Sequence, residues 1–280
     1  MSAVEHEIPV VQPAHPVVQM DVRQVRERAG IKYREEGEGT PILFLHGIGG
    51  GAAIFTPQLA HFGRRYRAIA WEMPGHAGSA PLPLVTMAAL AAALAGFIEA
   101  LGLDRPILVG HSLGGMIVLR LLAEAPDLAR AIVLSQTSPA FGASDPAWAE
   151  AFIAAKLAPL DAGRAMPALA PEAIAQSVGP GADPAGIAAA EACFAATPHS
   201  TYRDMVLAMP GFDARATLPT IAVPTLVVAG SLDRSAPAAG CERMAARIPG
   251  ARYVLLDGAG HLAHAERPAA FNAALDDFLP

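Results

Sequence analysis

Six short apolar runs lack the in–out alternation of a half-solvated strand: Pro41 to His46, Arg67 to Trp71, Pro106 to Gly110, Ala131 to Ser135, Thr225 to Ala229 and Tyr253 to Leu256. Apolar residues at consecutive strand positions imply burial on both faces, the condition of a parallel sheet covered by helices. Helical patterns fall between the runs, near Thr56 to Arg65, Thr86 to Leu101, Ser112 to Ala125, Pro237 to Ile248 and Pro268 to Phe278. Strand alternating with helix predicts the α/β class, an open and mostly parallel sheet with helices on both faces. Val22 to Arg28 and Ile31 to Glu35, parted by Ala29-Gly30, read as a short hairpin ahead of that sheet.

One stretch breaks the rhythm. Residues 138–217 are rich in Ala, Pro and Met, with helical fragments and no convincing strand, so they read as a helical cap inserted into a core of residues 19–137 and 218–280. Surface helices with no gating role are the plainer alternative. Residues 1–18 read as a flexible arm, because Pro9, Pro13 and Pro16 interrupt regular pairing.

With 53% hydrophobic and 16% charged residues, the chain has ample apolar surface for a large core. A formal net charge of −6 and no Lys/Arg run argue against a nucleic-acid surface. The N-terminus shows no apolar signal region, and Thr86 to Leu101 is short for a bilayer span and carries Glu99, so no membrane association is expected. Cys193 and Cys241 form no framework or CxxC pair, which suits a cytoplasmic protein with reduced thiols.

Gly110-His111-Ser112-Leu113-Gly114 matches G-x-S-x-G, and its flanks give the motif weight. A strand signal precedes it, and the helical run Met116 to Leu122 follows. A serine on a sharp strand-to-helix turn presents its hydroxyl beyond the sheet, beside a helix N-terminus that favours developing negative charge. Side chains at Gly110 and Gly114 would collide with neighbouring elements. A structural serine turn is the alternative.

A neutral hydroxyl attacks poorly and needs a positioned base. His261, on the glycine-rich loop Gly258-Ala259-Gly260 between a strand and a helix, is the expected base; His264 is the competitor. Asp233, in Gly230-Ser231-Leu232-Asp233 just past another strand, is the expected orienting acid, the alternative being an Asp that fixes a turn or caps a helix. The chain order Ser112, Asp233, His261 is that of one fold among the unrelated ones that carry such a triad. Oxyanion donors are expected from the backbone N–H of Leu113 and of Ile48, with Gly49 the second choice for the latter and His46 bracing their loop.

The same loop offers a rival. Gly47-Ile48-Gly49-Gly50-Gly51-Ala52 fits G-x-G-x-x-A, and Glu72 ends the next strand, an outline of dinucleotide binding. The following helix begins only near Phe55-Thr56-Pro57, too late for Gly49 to open it. A non-catalytic ligand receptor is the other class to carry.

Together His46-Gly47, the serine motif, Gly230 to Asp233 and Gly260-His261 make residues 22–280 resemble the α/β-hydrolase superfamily. His46-Gly47-Ile48-Gly49-Gly50 and Ser112-Leu113-Gly114-Gly115-Met116 are similar to its 3-oxoadipate enol-lactonase-like and carboxylesterase branch, while Trp71-Glu72-Met73-Pro74-Gly75-His76-Ala77 departs from it, with Glu and Ala where members commonly carry Asp and Gly. The resemblance implies a serine hydrolase opening a small ester or lactone through Ser112, Asp233 and His261, with Leu113 and Ile48 as the oxyanion hole and no cofactor or metal. C–C bond hydrolases and cofactor-free haloperoxidases of this fold keep the same triad. Phe141, Trp148, Phe152, Met166, Phe194 and Met205 are candidate pocket residues, and Lys156, Arg164 and Arg203 are candidate partners for a substrate carboxylate.

Overall fold

The structure is a computed structural model, described over residues 25–143 and 145–280. The expected arm at 1–18 and the first residues of the expected hairpin lie outside the described residues. The hairpin is formed by β1 (Val25–Arg28) and β2 (Ile31–Glu36), paired antiparallel around the positive-φ residues Ala29 and Gly30. Then follow β3 (Pro41–Leu45), α1 (Thr56–Phe62), β4 (Arg67–Trp71), α2 (Met87–Ala100), β5 (Ile107–His111), α3 (Leu113–Glu124) and β6 (Ala131–Ser135).

Between β6 and the next sheet strand lie β7 (Ala140–Phe141), α4 (Pro146–Asp161), α5 (Met166–Ala175), α6 (Pro184–Ala196), α7 (His199–Ala208) and β8 (Phe212–Asp213). The chain ends with β9 (Thr225–Gly230), α8 (Ala238–Ala245), β10 (Arg252–Leu256), α9 (Ala263–Glu266) and α10 (Pro268–Phe278). The eight sheet strands lie in the order β1-β2-β4-β3-β5-β6-β9-β10. From β4 to β10 every pairing is parallel; β2 joins β4 antiparallel.

Two-sided burial explains the apolar runs in β3, β4, β5, β6 and β9; the run at Tyr253 to Leu256 departs from it, because β10 is an edge of the sheet and leaves Leu255 exposed. Along β3, Leu43 and Leu45 enter one core with Leu94 and Phe97 of α2 and Ile117 and Leu121 of α3. Ile42 and Phe44 face the other core, with Leu59 and Phe62 of α1 and Phe271 and Leu275 of α10. Each large side chain so buried stabilises the fold by about 1.5–3 kcal/mol before entropy is counted.

Two helices stop short of the periodic pattern. After α1 the chain turns at Gly63, whose N–H bonds Leu59 O, and after α8 it tightens into turns before Pro249-Gly250. In the insertion, α4 and α6 are each opened by an aspartate and a first-turn proline. Asp145 accepts from Trp148 N and Asp183 from Ala185 N. The two-residue pair β7·β8, not expected from the sequence, ties the ends of the insertion together.

Candidate active site

β5 delivers Ser112 and α3 begins at the next residue. Ser112 has φ +52 and ψ −118, a backbone state costing about 1–3 kcal/mol for a residue with a Cβ. Packing over-determines it: Ser112 N bonds Ser135 O at 3.0 Å, and Thr137 Oγ1 donates to Ser112 O at 2.7 Å. A Cβ on Gly114 would lie 2.3 Å from Leu45 O, and one on Gly110 would lie 2.6 Å from the Gly115 Cα. Gly114→Ala is therefore expected to destabilise the fold by about 2 kcal/mol or more, since only backbone can yield. A urea midpoint equal to that of the parent would contradict this packing.

The late loop brings His261 to the serine. His261 Nε2 lies 3.0 Å from Ser112 Oγ, and His261 Nδ1 lies 2.8 Å from Asp233 Oδ2. A proton on Nδ1, donated to Asp233, leaves Nε2 as the acceptor for the serine hydroxyl. Asp233 also satisfies its turn: Oδ1 accepts from Ser235 N at 2.7 Å and Ala236 N at 3.0 Å. Asp233 thus contacts His261 and fixes its own turn at once. Burial works to raise the Asp233 pKa, but the His261 contacts and these two N–H groups outweigh it and hold the carboxyl below its usual range.

His264 does not compete. It is fully buried, stacked on Phe55 at 4.7 Å, with neither ring nitrogen hydrogen-bonded among the described residues.

The loop after β3 passes close to the serine: a Cβ on Gly47 would sit 2.9 Å from Ser112 Cβ. Gly50 N bonds Gly47 O, so the turn consumes that donor and leaves the N–H groups of Ile48 and Gly49 at its tip. Gly49 needs its φ of +67, and a Cβ there would meet Phe194 at 2.7 Å. His46 braces the loop: Nδ1 donates to Gly47 O at 2.8 Å, and Nε2 accepts from Met73 N at 3.0 Å. Leu113 opens α3, and first-turn N–H groups have no intrahelical acceptor.

Ser112, His261, Ile48 and Gly49 share a cavity of about 350 Å³, the size of a small-molecule pocket. Of the expected lining residues, Phe141, Trp148, Phe152, Lys156 and Phe194 are in its wall. Three aromatics cluster there, Phe141 packing edge-on against Trp148 and Phe152 at 5.0 and 4.8 Å.

Four expectations are corrected. Met166 and Met205 are buried in core packing away from the cavity. Arg164 pairs with Glu172 and Arg203 with Asp161, both on the exposed face of the insertion, where a long charged side chain finds its nearest carboxylate.

Sequence reasoning missed Tyr202, Met209, Arg234 and Gln136, which also line the cavity. Gln136 carries a signal only coordinates reveal, a φ of +42 and a buried Nε2 without a partner among the described residues. It missed Glu266 as well. One oxygen of that buried carboxylate accepts from Gly179 N and Gly260 N at 2.7 and 2.8 Å, and the other from Leu262 N at 2.8 Å. His261 N also bonds Ser177 O at 2.6 Å, so the histidine loop is fastened to the α5–α6 connection.

Among the described residues no three His, Cys, Asp or Glu side chains gather as metal ligands would, and no helix is long and apolar enough to cross a membrane. The glycine loop packs on Ser112, and Glu72 is buried, out of reach of a ribose. The dinucleotide outline therefore has no site here.

A family profile described as alpha/beta hydrolase fold matches residues 40–268. The chain belongs to the α/β-hydrolase fold family. A protein named as a carbamate hydrolase, RutD of Pseudomonas savastanoi pv. phaseolicola, is 30% identical over 260 residues, covering 88% of this chain and 96% of its own. The polyketide synthase ThaQ of Burkholderia thailandensis is 31% identical over 250 residues and 87% of this chain, which spans only 12% of the synthase. Among solved structures, the enol-lactonase from Burkholderia xenovorans superimposes with a TM-score of 0.78 at 28% identity, over 91% of this chain and 98% of that one.

Proposed function

We propose that this α/β-hydrolase family member is a serine hydrolase cleaving a small carboxylic ester or lactone through an acyl-enzyme. The observation that carries the reading is the unbroken line Asp233–His261–Ser112, with contacts of 2.8 and 3.0 Å, ending at a strained serine in a cavity wall. Ser112 attacks the carbonyl carbon while His261 Nε2 takes its proton, and Asp233 stays ionised to hold the imidazole tautomer. The oxyanion rests on the N–H groups of Leu113 and Ile48. His261 then protonates the leaving oxygen and activates water to release the acid.

The insertion at 138–217 acts as a cap, since α4 supplies Trp148, Phe152 and Lys156 at helical spacing to the pocket. Among the described residues no carboxylate lines the cavity, whereas Lys156 and Arg234 do, and neither of these is in an ion pair there. A substrate with an apolar body and an anionic end fits this lining. The enol-lactonase relative supports a lactone; the carbamate hydrolase by name supports an acyl group of another kind.

Labelling with a fluorophosphonate tests the reading. One equivalent is expected on the Ser112 peptide, alongside turnover of aryl esters and faster turnover of those bearing a carboxylate. An unlabelled Ser112 in a folded protein that turns over no ester or lactone would end it.

A further inference from the structure

Behind the glycine loop, away from Ser112, lies a second cavity of about 20 Å³, room for one water molecule. Gly50, Gly51, Glu72, His76 and Cys193 are in its wall. Glu72 is 5% exposed, and its Oε2 has no hydrogen-bond partner among the described residues; neither has His76 Nε2. The mechanism above uses neither group.

The contacts tie this carboxyl to the oxyanion loop. A Cβ on Gly51 would sit 3.1 Å from Glu72 Oε2, and the Ala52 N–H also interacts with the carboxyl. His46 Nε2 is 3.9 Å from Oε2 but already accepts from Met73 N, while its Nδ1 proton goes to Gly47 O. His46 therefore has no proton to offer Glu72. One five-residue loop thus has Ser112 against Gly47 and Glu72 against Gly51.

We propose that Glu72 is a positioning residue for the oxyanion loop, working in its neutral form and hydrogen-bonded through one water to His76. The proposal rests on the serine-hydrolase reading. His76 Nδ1 faces Pro74 O at 3.4 Å, which leaves Nε2 as an acceptor. A neutral Glu72 can donate to a water that donates onward to His76 Nε2, satisfying both orphaned atoms. An ionised Glu72 loses its donor and sets a negative charge behind amides that must hold an oxyanion.

The groups facing Glu72 decide when the change occurs. These are Arg34 of β2, His46 after β3, His76 in the loop after β4 and Cys193 of α6. Burial raises the carboxyl to about 7, with the Ala52 N–H and Arg34 pulling the other way. Burial also keeps both histidines neutral and pushes the Cys193 thiol up to about 12. Among these groups, Glu72 is the one that changes charge near neutrality.

The rate should then fall on the alkaline side as Glu72 loses its proton. With a neutral aryl ester, kcat of the parent enzyme is expected to drop about tenfold or more from its maximum by pH 9. Glu72→Gln should remove that alkaline limb, and Glu72→Asp, whose ionisable group is set back by one methylene, should displace it. Carboxyl ¹³C NMR of the unaltered protein, with Glu72 assigned by its loss in Glu72→Gln, should show a glutamate titrating near neutrality.

A level alkaline side in the parent, a limb surviving in Glu72→Gln, or a Glu72 carboxyl titrating below pH 5 would each overturn the proposal while leaving Ser112 in place. Ester hydrolysis persisting in Ser112→Ala would overturn the serine reading and this proposal with it.

Discussion

Ser112→Ala is expected to lower kcat for an aryl ester by about 10⁴- to 10⁶-fold, with KM changed far less. The hydroxyl is the group in the line from Asp233 proposed to bond substrate carbon, while Phe141, Trp148 and Phe152 in the cavity wall are untouched. Activity above the uncatalysed rate should persist at about 10³-fold, because the Leu113 and Ile48 amides are still in place. Ser112→Gly separates function from stability. With no Cβ to clash at φ +52, it should be equally inactive yet more stable by about 1 kcal/mol or more. A Ser112→Ala protein within tenfold of the parent rate would mean that another nucleophile does the chemistry.

How much of this was legible beforehand follows from the kind of physics each residue obeys. The parallel strands announced themselves because two-sided burial writes apolar residues at consecutive positions, as in Ile42 to Leu45. The serine turn was legible because its glycines answer to backbone contacts a few residues away, such as Gly110 against Gly115.

The pocket wall was less legible. On α4, alanines occupy most faces, so the sequence alone does not tell which of Trp148, Phe152 and Lys156 look inward. Arg164 and Arg203 were misplaced because a helical insertion offers cations local carboxylates, here Glu172 and Asp161. Glu266 and Glu72 were beyond reach for another reason. Their partners, Gly179 for one and the Gly51 loop for the other, are set by tertiary packing, and nothing in H-x-x-x-x-E or W-E-M-P records it.

The buried histidines give the second large effect, a steep loss of stability in mild acid. His46, His76, His111 and His264 are each at most 4% exposed. Burial, the leading cause at all four, holds His76 near 4 and His111 near 3, with His46 and His264 well below their ordinary value. The folded protein keeps these rings neutral, whereas the unfolded chain protonates them near 6.5. The stability they confer is whole above that value and is lost as pH falls toward their folded pKa values.

Each ring contributes a slope of about 1.4 kcal/mol per pH unit in that window. Glu72 works in the opposite sense, since its raised pKa lets the folded state take a proton first between about 7 and 4.5. Four rings less one carboxyl leave a slope of about 4 kcal/mol per unit below pH 6, against a typical total of about 5–15 kcal/mol.

Unfolding is therefore expected between about pH 3 and 5, with urea midpoints falling steeply from pH 6.5 downward. His264→Phe isolates one contribution. The ring already stacks on Phe55 and packs edge-on against Phe271 at 5.9 Å, so an aromatic of similar shape keeps the packing and removes one ionisation. Its midpoint should fall less steeply with acid, by about a third of the parent slope. Midpoints level from pH 7 to 5 in the parent would mean that these rings are protonated in the folded protein, and the neutral His46 and His111 on either side of Ser112 would go with them.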